Sequence, residues 1–127
     1  MSLTDFQVDT RENDIYEFIK DYFNGVDEYF LRDIIHKHWE FGTIDAVYRD
    51  GKVIACCRWN VNGYIFDVLD LVISDGENGR RIIKHLIARN WNRFPQAKYI
   101  RFIRENKYPG QKPKIYSINK ILGLRRI

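Results

Sequence analysis

Residues Val72–Ile87 read "VISDGENGRRIIKHLI". An apolar strand end runs into a turn holding Gly76 and Gly79. Paired arginines, Arg80 and Arg81, then open a stretch in which Ile82, Ile83, Leu86, Ile87 and Trp91 recur at helical spacing. Strand, glycine turn and helix N-terminus together converge unpaired N–H groups, which suits an anion. The same layout also serves a plain change of direction, with Asp75 or Asn78 only capping the helix.

Upstream, "TIDAVYRDGKVIACCRW" is two β-rich runs joined at Asp50-Gly51, a dipeptide that accepts the positive φ angles of a type I′ hairpin turn. A second turn at Asn62-Gly63 leads into "YIFDVLDLVIS", the third strand of one meander. Before the meander, a short strand near Leu3–Val8 precedes two helices. The first, "DIYEFIKDYFN", carries Ile15, Phe18, Ile19 and Tyr22 on one side, with Thr10 or Asn13 as its cap. The second, "VDEYFLRDIIHKHWE", is expected to bury Val26, Phe30, Ile34 and His38 or Trp39, and Gly42 stops it.

Downstream, Pro95 closes the helix of the opening stretch, and "AKYIRFIRE" alternates as an exposed or edge-adjacent strand. "KIYSINKILGL" reads as a short helix with Ser117 as cap and Gly123 at its end. The strand–helix–strand crossover predicts a parallel pair, and the whole order predicts a mixed sheet with packed helices, class α+β.

Bulk properties bound the rest. The chain has 127 residues, 45% hydrophobic and 15% aromatic, enough for one folded domain covering 1–127. No apolar run approaches the ~18–20 residues of a membrane span, and "MSLTDFQVD" lacks a secretory pattern, so the cytosol is the expected compartment. Cys56 and Cys57, adjacent in one strand, point to opposite sides and read as thiols. His36 and His38 sit two apart on a helix, on different faces, so no metal site is expected. Charge is divided: residues 1–50 hold 12 Asp+Glu against 5 Lys+Arg, whereas the remainder holds 5 against 16. A basic half would attract phosphate groups, on a cofactor or on nucleic acid, or would simply be solvated. "KYIRFIRENKYPGQKPKIY" interleaves bases with aromatics as single-strand nucleic-acid binders do, without any named nucleic-acid motif.

This element order, taken with the opening stretch, resembles the GNAT superfamily of acyl-CoA N-acyltransferases. The family signature is R/Q-x-x-G-x-G/A at the start of the helix after the fourth strand. Aligning Gly79 with its last glycine puts Ser74 at the Arg/Gln and Glu77 at the middle glycine. The resemblance implies a central, mostly antiparallel mixed sheet with helices on both faces. Because the sequence given stops at Ile127, just after the last helix, the family's usual last two strands are expected to be absent or supplied otherwise. An open edge of that kind would be covered by a partner chain, a large substrate or a second copy.

The resemblance also implies acetyl-CoA or another acyl-CoA as co-substrate and an amine, on a small molecule or a protein, as acceptor. Asn78, Gly79, Arg80 and Arg81 would hold the pyrophosphate, with Asp75 and Glu77 opposing unless they turn away. Leu71 and Ile73 would bond the pantetheine. Asp67 falls where some members keep a catalytic carboxylate, and burial in a sheet should raise its pKa as a base requires. The contrary reading is that it is solvated or paired to an arginine. The family's tyrosine position on the last helix holds Asn119, and Tyr116, one turn earlier, is the substitute proton donor or else a packing residue. A catalytically degenerate domain that binds an acidic protein or nucleic acid is the alternative, favoured by Ser74, Glu77 and Asn119.

Overall fold

The computed structural model describes residues 7–9, 11–102 and 114–123. Its elements run β1 (Gln7–Asp9), α1 (Glu12–Ile19), a 3-10 turn (Lys20–Phe23), α2 (Glu28–Phe41), β2 (Ile44–Arg49), β3 (Lys52–Asn62), β4 (Ile65–Ile73), α3 (Gly79–Trp91), β5 (Tyr99–Phe102), β6 (Lys114–Ser117) and α4 (Ile118–Leu122). The strands are ordered β1-β2-β3-β4-β5-β6 in one mixed sheet. Pairing is antiparallel at β1-β2, β2-β3 and β5-β6, and parallel at β4-β5, as the crossover through α3 demands. The α+β class is the one expected. Contacts gather into two units, Met1–Arg58 with Leu71–Glu77, and Trp59–Asp70 with Asn78–Ile127.

In the first unit, Asp50 and Gly51 take φ of 51° and 78°, the paired positive values of a type I′ turn, and so fix the β2-β3 register. The side chain of Asp27 accepts from the N–H groups of Tyr29 and Phe30 and starts α2, and left-handed Gly42 ends it. The cap expected for α1 is not found: Arg11 takes that position without a side-chain bond and Asn13 lies inside the helix, while Thr10 falls outside the described residues. The core brings Ile15 and Ile19 of α1 and Leu31 and Ile35 of α2 onto Ile44, Ala46, Tyr48 and Cys56.

That core corrects the expected face of α2. Val26 and Phe30 stay 40% and 59% exposed, whereas Leu31 and Ile35 are buried. Two apolar rows run along this helix, and the row of Leu31 and Ile35 is the one that joins the core with Ile44, Ala46 and Tyr48. His36 then joins the two helices, with Nδ1 at 2.5 Å from Glu12 and Nε2 at 3.0 Å from Glu40. Two carboxylate partners require both ring nitrogens to carry protons, and the bond to Glu12 leads the causes that raise this pKa above its usual 6.5.

In the second unit, Trp59 is 1% exposed, stacked on Phe66 at 4.3 Å and met edge-on by Phe94 at 5.3 Å. Helix α3 buries Ile82, Leu86 and Ile87 as its periodicity predicts. It also buries Asn90, whose amide donates to the Leu86 carbonyl at 3.0 Å. The last segment departs from expectation. Lys114–Ser117 is a strand paired with β5, and the helix begins only at Ile118, where Ser117 accepts from the Lys120 N–H. Ser117 does cap the helix, as expected, but Tyr116 lies before it in an extended strand.

Candidate functional site

Helix α3 starts where the opening stretch suggests. Asn78 is its cap, and the side-chain oxygen accepts from the Arg81 N–H at 3.2 Å. Gly79 is the first helical residue, followed by Arg80, which is exposed, and Arg81, which is half-buried. The first turn holds no acidic side chain. The N-terminus of a helix carries the positive end of the dipole, which favours an anion, and Arg80 and Arg81 follow Gly79 in this first turn. Asn78 does cap the helix, taking the Arg81 N–H of that turn.

Glu77, the residue most at odds with an anion there, is held in the first unit. Arg49 Nη1 donates to both of its carboxylate oxygens at 2.6 Å, and the side chains are only 25% and 17% exposed. Sequence reasoning missed Arg49, because nothing links a strand-end arginine to a loop glutamate 28 positions away. Within the same unit the loop is tied by the Ser74 N–H, which donates to the Ile54 carbonyl at 2.9 Å. Leu71 and Ile73, at the end of β4, are half-buried.

Asp67 is 1% exposed in the middle of a bonded group. Arg101 grips it with Nε on Oδ1 at 2.5 Å and Nη2 on Oδ2 at 2.8 Å, and the Asn62 amide donates to Oδ2 at 2.5 Å. The raised pKa expected of a buried carboxylate is therefore not found. The Arg101 hydrogen bonds lead and outweigh desolvation, and the carboxyl is held below its usual 3.8. The contrary reading, an arginine pair, is the one the structure contains. In the sequence, Arg101 belongs to a stretch that reads as an exposed or edge-adjacent strand. Only the parallel register, Asp67 opposite Arg101, brings the two together.

Tyr116 is 40% exposed and packs edge-on against Phe102 at 6.0 Å. Its partner across β5-β6 is Ile100, which lies opposite Phe66, whereas Asp67 shares its face with Arg101 and Ile115. Alternation along the strands thus puts Asp67 and Tyr116 on opposite sides of β4-β5-β6. The structure does not bring these two residues together.

His38 Nδ1 lies 2.7 Å from the Thr43 hydroxyl, and Cys56 and Cys57 alternate across β3. Among the described residues, no group of three metal-ligating side chains occurs, and no helix is long and apolar enough to cross a membrane.

No family profile and no curated protein matches the chain. Solved structures do. Spermidine N-acetyltransferase from Vibrio cholerae, in complex with CoA and spermine, matches with TM-score 0.59 at 13% identity, over 78% of this chain and 70% of that one. A GNAT family N-acetyltransferase (YhbS) from Escherichia coli in complex with CoA matches with TM-score 0.57 at 10% identity, over 92% and 83%. Diaminobutyrate acetyltransferase EctA from Paenibacillus lautus, in complex with L-2,4-diaminobutyric acid and coenzyme A, gives 0.55 at 11%, over 76% and 64%. The chain thus spans 64% of the Paenibacillus protein, and 30% of a GCN5-related N-acetyltransferase from Kribbella flavida. With its meander, its α3 crossover and these neighbours, the chain has the fold of the GNAT superfamily of N-acetyltransferases.

Proposed function

We propose that this chain is an acyl-CoA-dependent N-acyltransferase, using acetyl-CoA or another acyl-CoA on an amine of a small molecule or a protein. The observation that carries the reading is the start of α3. Gly79, Arg80 and Arg81 open the helix directly after β4 and its loop, with no acid in the first turn. CoA complexes among the neighbours of the same fold support a coenzyme as the anion.

On this reading Asn78, Gly79, Arg80 and Arg81 take the pyrophosphate, while Leu71 and Ile73 bond the pantetheine amides as an added strand would. The amine nitrogen attacks the thioester carbonyl carbon, the C–S bond breaks, and the sulfur leaves as thiolate. One proton passes from the nitrogen to a base, and the thiolate takes up another. Tyr116 is the donor assigned to the thiolate. Asp67, saturated by Arg101 and Asn62, is assigned to the scaffold instead of the base. A cytosolic location fits this chemistry.

Calorimetry with acetyl-CoA and longer acyl-CoAs tests the reading. Saturable binding at micromolar ligand is expected, and no heat at near-millimolar ligand would end it.

A second reading is a binding module that has lost catalysis and takes an acidic protein or a nucleic acid. The separation of Asp67 and Tyr116 on opposite strand faces favours it. Steady release of CoA thiol with a panel of amines would exclude this module. Salt-sensitive association with single-stranded RNA or an acidic peptide, without turnover, would establish it.

A further inference from the structure

The two units divide the charge of the chain between them. Met1–Arg58 with Leu71–Glu77 carries 7 Lys+Arg against 14 Asp+Glu, whereas Trp59–Asp70 with Asn78–Ile127 carries 14 against 3. One of those three acids, Asp67, is buried and paired to Arg101. A unit so one-sided attracts polyanions, but charge alone does not say which kind.

The exposed aromatics of the same unit supply the choice. Tyr64 and Tyr99 are 63% and 45% exposed and stand at the N-terminal ends of β4 and β5. Their backbone is held firmly. The Tyr64 carbonyl accepts from the N–H groups of Lys98 and Tyr99 at 2.8 and 3.1 Å, and the Lys98 carbonyl accepts from that of Ile118 at 3.0 Å. Lys98 is exposed, with Nζ 5.6 Å from the centroid of the Tyr64 ring, and exposed Lys120 follows on α4. Two exposed rings and two lysines are thus gathered at one rim of the sheet. An exposed tyrosine ring stacks a nucleobase, whereas the side chains of an acidic peptide gain nothing from it. Bases of a duplex are already stacked inside, so the rim suits a single strand.

We infer that the rim formed by Tyr64, Lys98 and Tyr99 binds single-stranded nucleic acid, with bases on the tyrosines and phosphate on Lys98. It is not the start of α3, which follows the C-terminal end of β4. The inference rests on the nucleic-acid branch of the second reading, but not on lost catalysis, since none of the three residues takes part in the proposed transfer.

The test follows the anisotropy of a short fluorescein-labelled oligouridylate, alone and paired with oligoadenylate, with polyglutamate as the acidic-peptide control. The single strand should bind more tightly than the duplex, with an affinity that falls as salt rises. Tyr64→Ala and Tyr99→Ala should each weaken it about five- to a hundredfold, while Tyr64→Phe and Tyr99→Phe bind as the wild type does, because stacking needs the ring and not the hydroxyl. Lys98→Gln should lower the salt slope by about 0.7, the value of one phosphate contact on a single strand. Alanine variants that bind as the wild type does, or a duplex bound as tightly as the single strand, would overturn the inference. Should an alanine variant fail to fold, Lys98→Gln still decides, since an unchanged slope overturns it too. Binding of polyglutamate but not of RNA would overturn it while leaving the module reading in place, and binding of neither ends both. Acetyl-CoA affinity should be unchanged in the tyrosine variants, and a parallel loss would merge the two sites and overturn the separate rim.

Discussion

Asp67 and Arg101 face each other across the parallel β4-β5 pair, where Arg101 donates two hydrogen bonds to the carboxylate of a residue 1% exposed. The pair ties two strands that are joined in sequence only through α3. It also turns the most prominent carboxylate of the central strands into an anchor.

Removing the arginine should expose the desolvation that it now outweighs. In Arg101→Met, the Asp67 carboxyl is expected to titrate above its usual 3.8, read by NMR of the side-chain carbon. A value still below the usual one would show that Asn62 alone holds the charge.

The same pair sets an acid limit on stability. The native pKa of Asp67 is lowered, so its contribution is fully present above the unfolded value of 3.8. It is lost as pH falls from there through the native value. Acid unfolding of Asp67→Asn should therefore show a shallower pH dependence below about pH 4 than that of the wild type. Identical acid limbs would contradict this. If the residue is scaffold rather than base, the pH–rate profile of Asp67→Asn keeps its wild-type shape.

His36 acts in the opposite direction. Its pKa is raised by Glu12, so the stabilisation is present below 6.5, the unfolded value, and fades as pH rises through the native one. The melting temperature should fall between about pH 6 and 8, and His36→Gln should flatten that slope. A slope unchanged in the variant would place the dependence elsewhere.

Gly79→Asp puts an acid into a first turn that has none. Helix stability should hold or rise slightly, because an acid suits the N-terminus, while CoA binding should be lost. Retained affinity would mean that the pyrophosphate is not there.

Trp59→Ala removes the ring held between Phe66 and Phe94 and should cost about 3–5 kcal/mol in denaturant unfolding. Asp27→Ala should cost about 1 kcal/mol through the lost cap of α2. A cost near zero at Trp59 would mean that the site collapses freely.

Much of the fold was legible because local chemistry decides it. Asp50-Gly51 demanded a type I′ turn, Gly42 a helix stop, and the spacing of Ile82, Leu86 and Ile87 a buried helix face. What was not legible depends on pairing across distance. Periodicity could not choose between the two apolar rows of α2, because that choice belongs to the core the helix joins. Register between β4 and β5 is invisible in sequence, so an arginine partner for Asp67 could be offered only as one of two readings, without naming Arg101. Four residues at Lys114–Ser117 are too few to reveal a period, so the sequence reads Tyr116 together with the helix that follows it.

Cys56 and Cys57 stand side by side on β3, 3% and 5% exposed, with Cys56 packed beneath α1 and α2 and Cys57 turned to the other side of the strand. One peptide bond thus carries two thiol reporters that see different surroundings. Pulse alkylation followed by mass spectrometry of a single short peptide would time the opening of each side separately. Label entering at Cys56 before Cys57 would mark the helical layer as the first to lift from the strand.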